Sequence, residues 1–185
     1  KNTDFWLVQS ELIQSGFKNK YKIDGEKVLL MPFYPPFKNS NETVERKENT
    51  YLYVSNAFIH KNHVKLIDAF CLFYDTYKKG SLTVTVSEEF NEVLNYVKDK
   101  QSLGYPIKNL GFIKRDDLKK IYESHEYLIF PSFAESFGLG LVEAIENGCK
   151  IIGADLPYTY AVCKPSLVFN PLEVDSITEA LSLSL

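Results

Sequence analysis

Two glutamates flank a short turn whose residue types could bind a ligand. Glu135 and Glu143 are separated by seven residues, and the segment SFGLG (136–140) between them joins an apolar strand to a helix. The first backbone N–H groups of a helix have no partner within that helix, so such a turn can hold an anion. Carboxylates accept hydrogen bonds from hydroxyl groups. A sugar nucleotide carries both phosphates and hydroxyls, and this is the first indication of a ligand class.

The composition restricts the class of protein and its partners. The 185 residues are 45% hydrophobic and 24% charged, which is typical of a soluble globular protein, and the net charge is −3. No basic field favours nucleic acid, so we expect no nucleic-acid partner. Three cysteines without CxxC spacing indicate a reducing, cytoplasmic compartment. We find no signal peptide and no apolar run long enough to span a bilayer, and peripheral attachment to the inner face of the membrane stays open.

Alternating strand and helix patterns indicate how the turn is positioned. Short apolar runs predict strands at 51–55, 82–86, 108–112, 127–130, 150–154 and 167–169, and helical spacing predicts helices at 62–79, 88–103, 118–124, 138–147 and 177–183. Upstream we predict a strand at 5–9, a helix at 11–21 capped by Ser10, and a strand at 28–33. Asp116 or Asp117 is the predicted cap of the helix at 118–124. The pattern predicts an α/β fold, with a parallel sheet covered by helices on both faces. The loops after residues 55, 86, 112 and 131 are then expected to share one rim, where ligands bind.

Three segments resemble the donor-binding domain of retaining glycosyltransferases with the GT-B fold (glycosyltransferase group 1, family 4-like). They are YVSNAFIHKNHVKLIDAF, GFIKRDDLKKIYESHEYLIFPS and FPSFAESFGLGLVEAIENGCKIIGAD. The resemblance implies a Rossmann-like donor domain over 51–185, preceded by a linker at 38–50. Residues 1–37 are similar to the end of the N-terminal acceptor domain and its crossover. It further implies that most of the acceptor domain is missing, so that the chain alone is inactive.

The resemblance also implies a role for individual residues. Glu135 matches a glutamate that contacts the donor sugar near the reacting centre, and Lys61 matches a lysine that neutralises the diphosphate. Glu143 matches a glutamate that binds the ribose hydroxyls. The turn whose backbone meets the diphosphate is matched by Ser136, Phe137, Gly138 and Leu139. The segment whose backbone reads the nucleobase is matched by Phe112 and Ile113.

The sequence departs from the family pattern in two loops. Ser55-Asn56 stands where the family usually has a Gly-Arg pair, and we interpret Asn56 as a variant of the donor site. Val86-Ser87-Glu88-Glu89 replaces a glycine-rich turn, which indicates a different wall around the base or the phosphates.

The implied function is transfer of a hexose, with retention, from a UDP- or GDP-sugar to a saccharide or lipid-linked acceptor in surface polysaccharide biosynthesis. No cofactor and no metal are expected, because Lys61 and the helix start can carry the diphosphate charge. His60 and His63 are three residues apart, but no third metal ligand accompanies them. Two alternatives stay open, a non-catalytic nucleotide-sugar-binding module and a GT-B-fold epimerase.

Overall fold

The leading residues form a small strand–helix–strand unit. The structure, a computed structural model, describes residues 3–37 and 44–185. β1 (Trp6–Val8) pairs in parallel with β2 (Val28–Leu30), and α1 (Glu11–Tyr21) connects them. The Ser10 hydroxyl accepts a hydrogen bond from the Ile13 N–H at 3.3 Å, which confirms Ser10 as the cap of α1.

The rest of the described chain is built on a six-stranded parallel sheet. Its strands lie in the order β5-β4-β3-β6-β7-β8, and every neighbouring pair is parallel. The chain therefore runs outwards from β3 to one edge, returns to the middle, and runs from β6 to the other edge. The strands are β3 (Lys47–Tyr53), β4 (Ser81–Val84), β5 (Ile107–Asn109), β6 (His125–Phe130), β7 (Lys150–Ala154) and β8 (Leu167–Phe169).

Two groups of helices flank this sheet, and the predicted fold class is confirmed. One group consists of α2 (His63–Tyr77), which packs against α3 (Asn91–Ser102) and α7 (Val174–Ser182). In the other, α5 (Leu139–Glu146) packs against α4 (Arg115–Ser124) and α6 (Pro157–Val162). Over the described ranges, no helix combines the length and the apolar composition that crossing a bilayer requires.

Aromatic side chains fill the middle of the sheet. Tyr51 on β3 is fully buried, stacks on Tyr127 of β6 at 5.6 Å, and meets Phe73 of α2 edge-on at 5.7 Å between ring centroids. The central strands are covered on both faces, which is why they appear in the sequence as continuous apolar runs. This core fixes the carboxyl ends of β3 and β6, where the chain reverses its direction across the sheet.

Several predicted bounds differ from the structure: β5 ends at Asn109 and not at residue 112, and α3 begins at Asn91 and not at residue 88. β3 begins at Lys47, inside the predicted linker 38–50, because its exposed polar residues extend the strand beyond the buried core; residues 38–43 of that linker lie outside the described ranges. Helix α4 begins at Arg115, with Lys114 as its N-cap, so Asp116 and Asp117 occupy the first turn and do not cap it. The short helix α6, which starts at Pro157, was not predicted.

Candidate functional site

The loops after β3, β4 and β5 are tied together at one edge of the sheet. The Thr85 hydroxyl accepts a hydrogen bond from the Ser55 N–H at 3.1 Å and donates one to the Ser55 carbonyl at 3.3 Å. The side-chain amide of Asn109 makes two hydrogen bonds of 2.9 Å with the backbone of Val86. The predicted rim is therefore present, and its three neighbouring loops are held in a fixed relation.

An ion pair joins the loop after β3 to the loop after β6. Lys61 Nζ lies 2.6 Å from Glu135 Oε1, and the two side chains are only 16% and 11% exposed. Beside the pair, the Phe133 N–H donates to the His60 carbonyl at 2.8 Å. The ion pair places a cationic and an anionic group together at the rim, where both are mostly shielded from solvent. The sequence predicts a role for each residue of this pair, whereas their mutual contact is a finding of the structure.

The backbone that carries Lys61 is fixed by a residue that sequence reasoning missed. Asn62 adopts a left-handed conformation, with φ 60°, at the start of α2, and asparagine is among the residues that tolerate it. Its side-chain amide donates to the carbonyls of Pro131 and Pro171 at 3.1 and 2.8 Å. The Tyr53 hydroxyl donates to the Lys61 carbonyl at 2.8 Å. The available signal was an asparagine at the first position of the helix predicted at 62–79.

The turn after Glu135 ends at a glycine that begins α5. Gly138 has φ 86°, and a Cβ atom at this position would lie 3.1 Å from Leu141 Cδ1. No side chain of the described residues caps this helix start, so its first N–H groups are available to an anion. The Ser10 hydroxyl donates to the Ser136 carbonyl at 2.6 Å, which brings the leading unit into contact with the turn.

Glu143 lies on the second turn of α5 and is held by two partners. Arg115 Nη1 is 2.6 Å from Glu143 Oε1, and the Tyr122 hydroxyl donates to Oε2 at 3.0 Å. The side chain is 9% exposed, and its burial raises the pKa of the carboxyl group although both partners act in the opposite direction. Both oxygens of the candidate ribose-binding carboxylate are therefore engaged, one by Arg115 and the other by Tyr122.

Arg115 also contacts the crossover segment. Its Nη2 donates to the Pro35 carbonyl, and its guanidinium lies 4.6 Å from the centroid of the Phe37 ring. Sequence reasoning assigned no function to Arg115. The signal was that Arg115 is one of only two arginines in the chain and follows the predicted nucleobase segment by two residues.

A cavity of about 300 Å³ opens between the loops after β3, β4 and β5. Three residues of the predicted site, Asn56, Phe112 and Ile113, line this one cavity, and the Phe112 side chain is left 79% exposed. The lining is completed by Val54, Ser55, Thr85, Ser87, Glu89 and Leu118. Lys61, Glu135 and Glu143 belong to the other part of the rim, around the start of α5.

The histidines do not form a metal site with other residues of the described ranges. No three His, Cys, Asp or Glu side chains in those ranges are grouped closely enough to hold a metal ion. His63 is 2% exposed, lies 4.7 Å from the Tyr53 ring, and has no hydrogen-bond partner for either ring nitrogen among the described residues. Burial lowers the pKa of His63 to about 3, so its ring is neutral at physiological pH.

Comparison with known proteins agrees with this architecture. Residues 37–181 match the family described as "Glycosyl transferases group 1". Over 180 residues the chain is 25% identical to the O-antigen chain mannosyltransferase RfbU of Salmonella typhimurium, covering 95% of this chain and 49% of RfbU. It therefore spans about half the length of that relative.

Solved structures share the fold. The pneumococcal O-GlcNAc transferase GtfA, in complex with UDP and GlcNAc, superposes with a TM-score of 0.77 at 20% identity, covering 98% of this chain and 37% of GtfA. Anabaena HepE, in complex with UDP-glucose, gives a TM-score of 0.80 at 16% identity over 99% of this chain and 54% of HepE. Both comparisons confirm the parallel α/β architecture.

Proposed function

The chain belongs to the group 1 glycosyl transferases, and we propose that it is the donor-binding part of a retaining member. In this proposal the enzyme transfers a hexose from a UDP- or GDP-sugar to a saccharide or lipid-linked acceptor during assembly of a surface polysaccharide. The name of RfbU, an O-antigen chain mannosyltransferase, supports that setting. The acceptor is bound by a further domain, so the 185-residue chain has no turnover alone.

The observation that carries the proposal is the Lys61–Glu135 ion pair beside the start of α5. The pair, 2.6 Å long, holds a cation against a carboxylate on the turn that leads into α5, and no side chain of the described residues caps that helix. A diphosphate attracts Lys61 and the N–H groups, and it releases Glu135 to accept hydrogen bonds from the donor sugar. One rearrangement thus provides for both the charged and the hydroxylated part of the donor.

The same groups suit the chemical step. Departure of the nucleoside diphosphate places negative charge on the leaving phosphate, and Lys61 and the N–H groups stabilise that charge more in the transition state than in the ground state. In our proposal these donors replace a metal ion, and the acceptor attacks from the face that the diphosphate leaves. No side chain of this chain is assigned as a nucleophile.

Glu143 binds the ribose in this proposal. Its carboxylate is nearly buried and oriented by Tyr122, while the side chain of Arg115 is 39% exposed and can move towards solvent. Ribose hydroxyls can then accept from Arg115 or replace it on Glu143 Oε1. Either arrangement keeps the carboxylate hydrogen-bonded.

Calorimetric titration of the 185-residue chain with UDP, GDP and ADP tests the proposal. We expect at least one nucleotide to bind with EDTA present, and Lys61→Ala to weaken that binding about tenfold, because one hydrogen bond between charged groups is lost. Lys79→Ala is the matched control, since Lys79 is exposed and precedes the amino end of β4, whereas the site lies at the carboxyl ends of the strands. Failure of all three nucleotides to bind the folded chain, or equal losses in both variants, contradicts the proposal.

A further inference from the structure

The cavity between the loops after β3, β4 and β5 is lined mainly by uncharged residues. Among the described residues that line it, Glu89 alone is charged. A carboxylate repels phosphate, so the diphosphate is disfavoured here and the uncharged nucleobase is the part of the donor that fits. The exposed ring of Phe112 offers a stacking surface for such a base. The volume of about 300 Å³ lies at the lower end of the range for small-molecule sites.

The turn that carries Glu89 and the segment that carries Phe112 both follow residues that are hydrogen-bonded to Asn109. The Asn109 side chain binds the backbone of Val86 and also accepts a hydrogen bond from the Gly111 N–H at 3.1 Å. Asn109 therefore links Val86, which precedes the turn carrying Glu89, to Gly111, which precedes Phe112. The Ser87 hydroxyl donates to Glu89 Oε1 at 3.0 Å and orients the carboxylate. One carboxylate has about four lone-pair positions, so acceptor capacity remains for a ligand.

A carboxylate at this place distinguishes the common bases. The Watson–Crick edge of guanine has two adjacent donors, N1–H and the 2-amino group, which match the two oxygens of a carboxylate. Uracil has a single N3–H between two carbonyl oxygens, and adenine has an amino group beside the acceptor N1. Both of these bring an acceptor against the carboxylate. Glu89 is an exposed residue, so a base that places an acceptor against its carboxylate exchanges hydrogen bonds with water for electrostatic repulsion and binds less tightly.

We infer that Glu89 is a specificity-determining residue that selects guanine, so that the donor is a guanosine diphosphate sugar. The inference rests on the proposed function and narrows it to one class of donor. It also gives a role to the Ser87-Glu88-Glu89 turn, which stands where the family has a glycine-rich one.

Calorimetry on the 185-residue chain with GDP, IDP, UDP and ADP tests the inference. IDP lacks the 2-amino group and isolates one of the two proposed hydrogen bonds. We expect GDP to bind about tenfold more tightly than UDP or ADP, with IDP in between. Glu89→Gln, which keeps the shape and removes the charge, is expected to weaken GDP about tenfold and to change UDP by less than about twofold. Glu88→Gln is the matched control, because Glu88 is exposed on the same turn and does not line the cavity.

Each outcome decides the matter. If GDP and UDP bind equally, or if Glu89→Gln and Glu88→Gln act alike, Glu89 does not select the base. The proposed function survives that result provided that Lys61→Ala still weakens every nucleotide. If circular dichroism shows a folded chain and no nucleoside diphosphate binds, the proposed function and this inference fail together.

Discussion

Replacing Arg115 by alanine tests how strongly Glu143 depends on its ion pair. Arg115 Nη1 lies 2.6 Å from Glu143 Oε1, and Glu143 is 9% exposed, so the substitution leaves a nearly buried carboxylate with Tyr122 as its remaining described partner. Breaking a buried pair costs about 3–5 kcal/mol, whereas an exposed pair contributes about 0.2–1 kcal/mol. Because Arg115 is 39% exposed and water can replace it, we expect a loss of about 2 kcal/mol in the free energy of unfolding at pH 7.

Urea unfolding of four proteins measures this coupling: the wild type, Arg115→Ala, Glu143→Gln and the double variant. Without the carboxylate charge, Arg115→Ala should cost no more than about 0.5 kcal/mol, which leaves a coupling of about 1.5 kcal/mol. The pKa of Glu143 is already raised by burial and rises further without Arg115. The folded variant therefore binds a proton more readily than the unfolded one, and its deficit should shrink as the pH falls below 7. The reasoning is refuted if Arg115→Ala lowers the free energy of unfolding equally with Glu143 and with Gln at position 143, and if this loss does not change with pH.

Three further predictions concern the site and its surroundings. Glu143→Ala should weaken a nucleoside diphosphate and its sugar conjugate alike, by about tenfold, whereas Glu135→Ala should weaken the sugar conjugate more; calorimetry that finds equal losses for both ligands in both variants contradicts this division. Folding lowers the pKa of His63 from 6.5 to about 3, so between these pH values the unfolded chain binds a proton that the folded chain does not. The free energy of unfolding therefore falls by about 1.4 kcal/mol for each pH unit as the pH drops through this range. Unfolding free energies of His63→Phe should accordingly depend less on pH than those of the wild type, and parallel curves would disprove the assignment. In thermal unfolding, Gly138→Ala should lower the free energy of unfolding by about 1–2 kcal/mol, since φ is 86°, and it should also weaken nucleotide binding. The control is Gly16→Ala, in an open position on α1, which should raise the free energy of unfolding.

The sheet and its rim could be predicted because the signals for them are local. β6 and β7 contain apolar runs that lie between helical segments. Such runs are typical of parallel strands that are buried on both faces. Because parallel strands run in the same direction, their carboxyl ends lie at the same end of the sheet. This argument placed the loops after residues 55 and 112 on one rim, and the structure shows Asn56, Phe112 and Ile113, which the resemblance assigned to the site, lining one cavity.

The pairing of side chains could not be predicted in the same way. Lys61 and Glu135 are 74 residues apart, and Arg115 and Glu143 are 28 apart, so both contacts depend on how the helices pack on the finished sheet. The polar start of β3 at Lys47 shows no alternation because water, and not the core, surrounds it. Helix α6 has only six residues, and its one sequence signal was a proline at its first position.

The strand order has a consequence for how the chain folds and responds to ligands. β3, β4 and β5 form one half of the sheet and β6, β7 and β8 form the other; β3 pairs with β6 at the boundary, and α2 packs on α7 across it. Lys61 and the cavity lined by Asn56 and Phe112 belong to the first half, while Glu135 and Glu143 belong to the second. A nucleotide that spans the rim therefore links the two halves. At a hundredfold excess over its dissociation constant, such a ligand stabilises the folded chain by about 2.7 kcal/mol. Because such a ligand loses its contacts when the two halves separate, we expect ligand occupancy to slow the unfolding of the whole sheet as one unit.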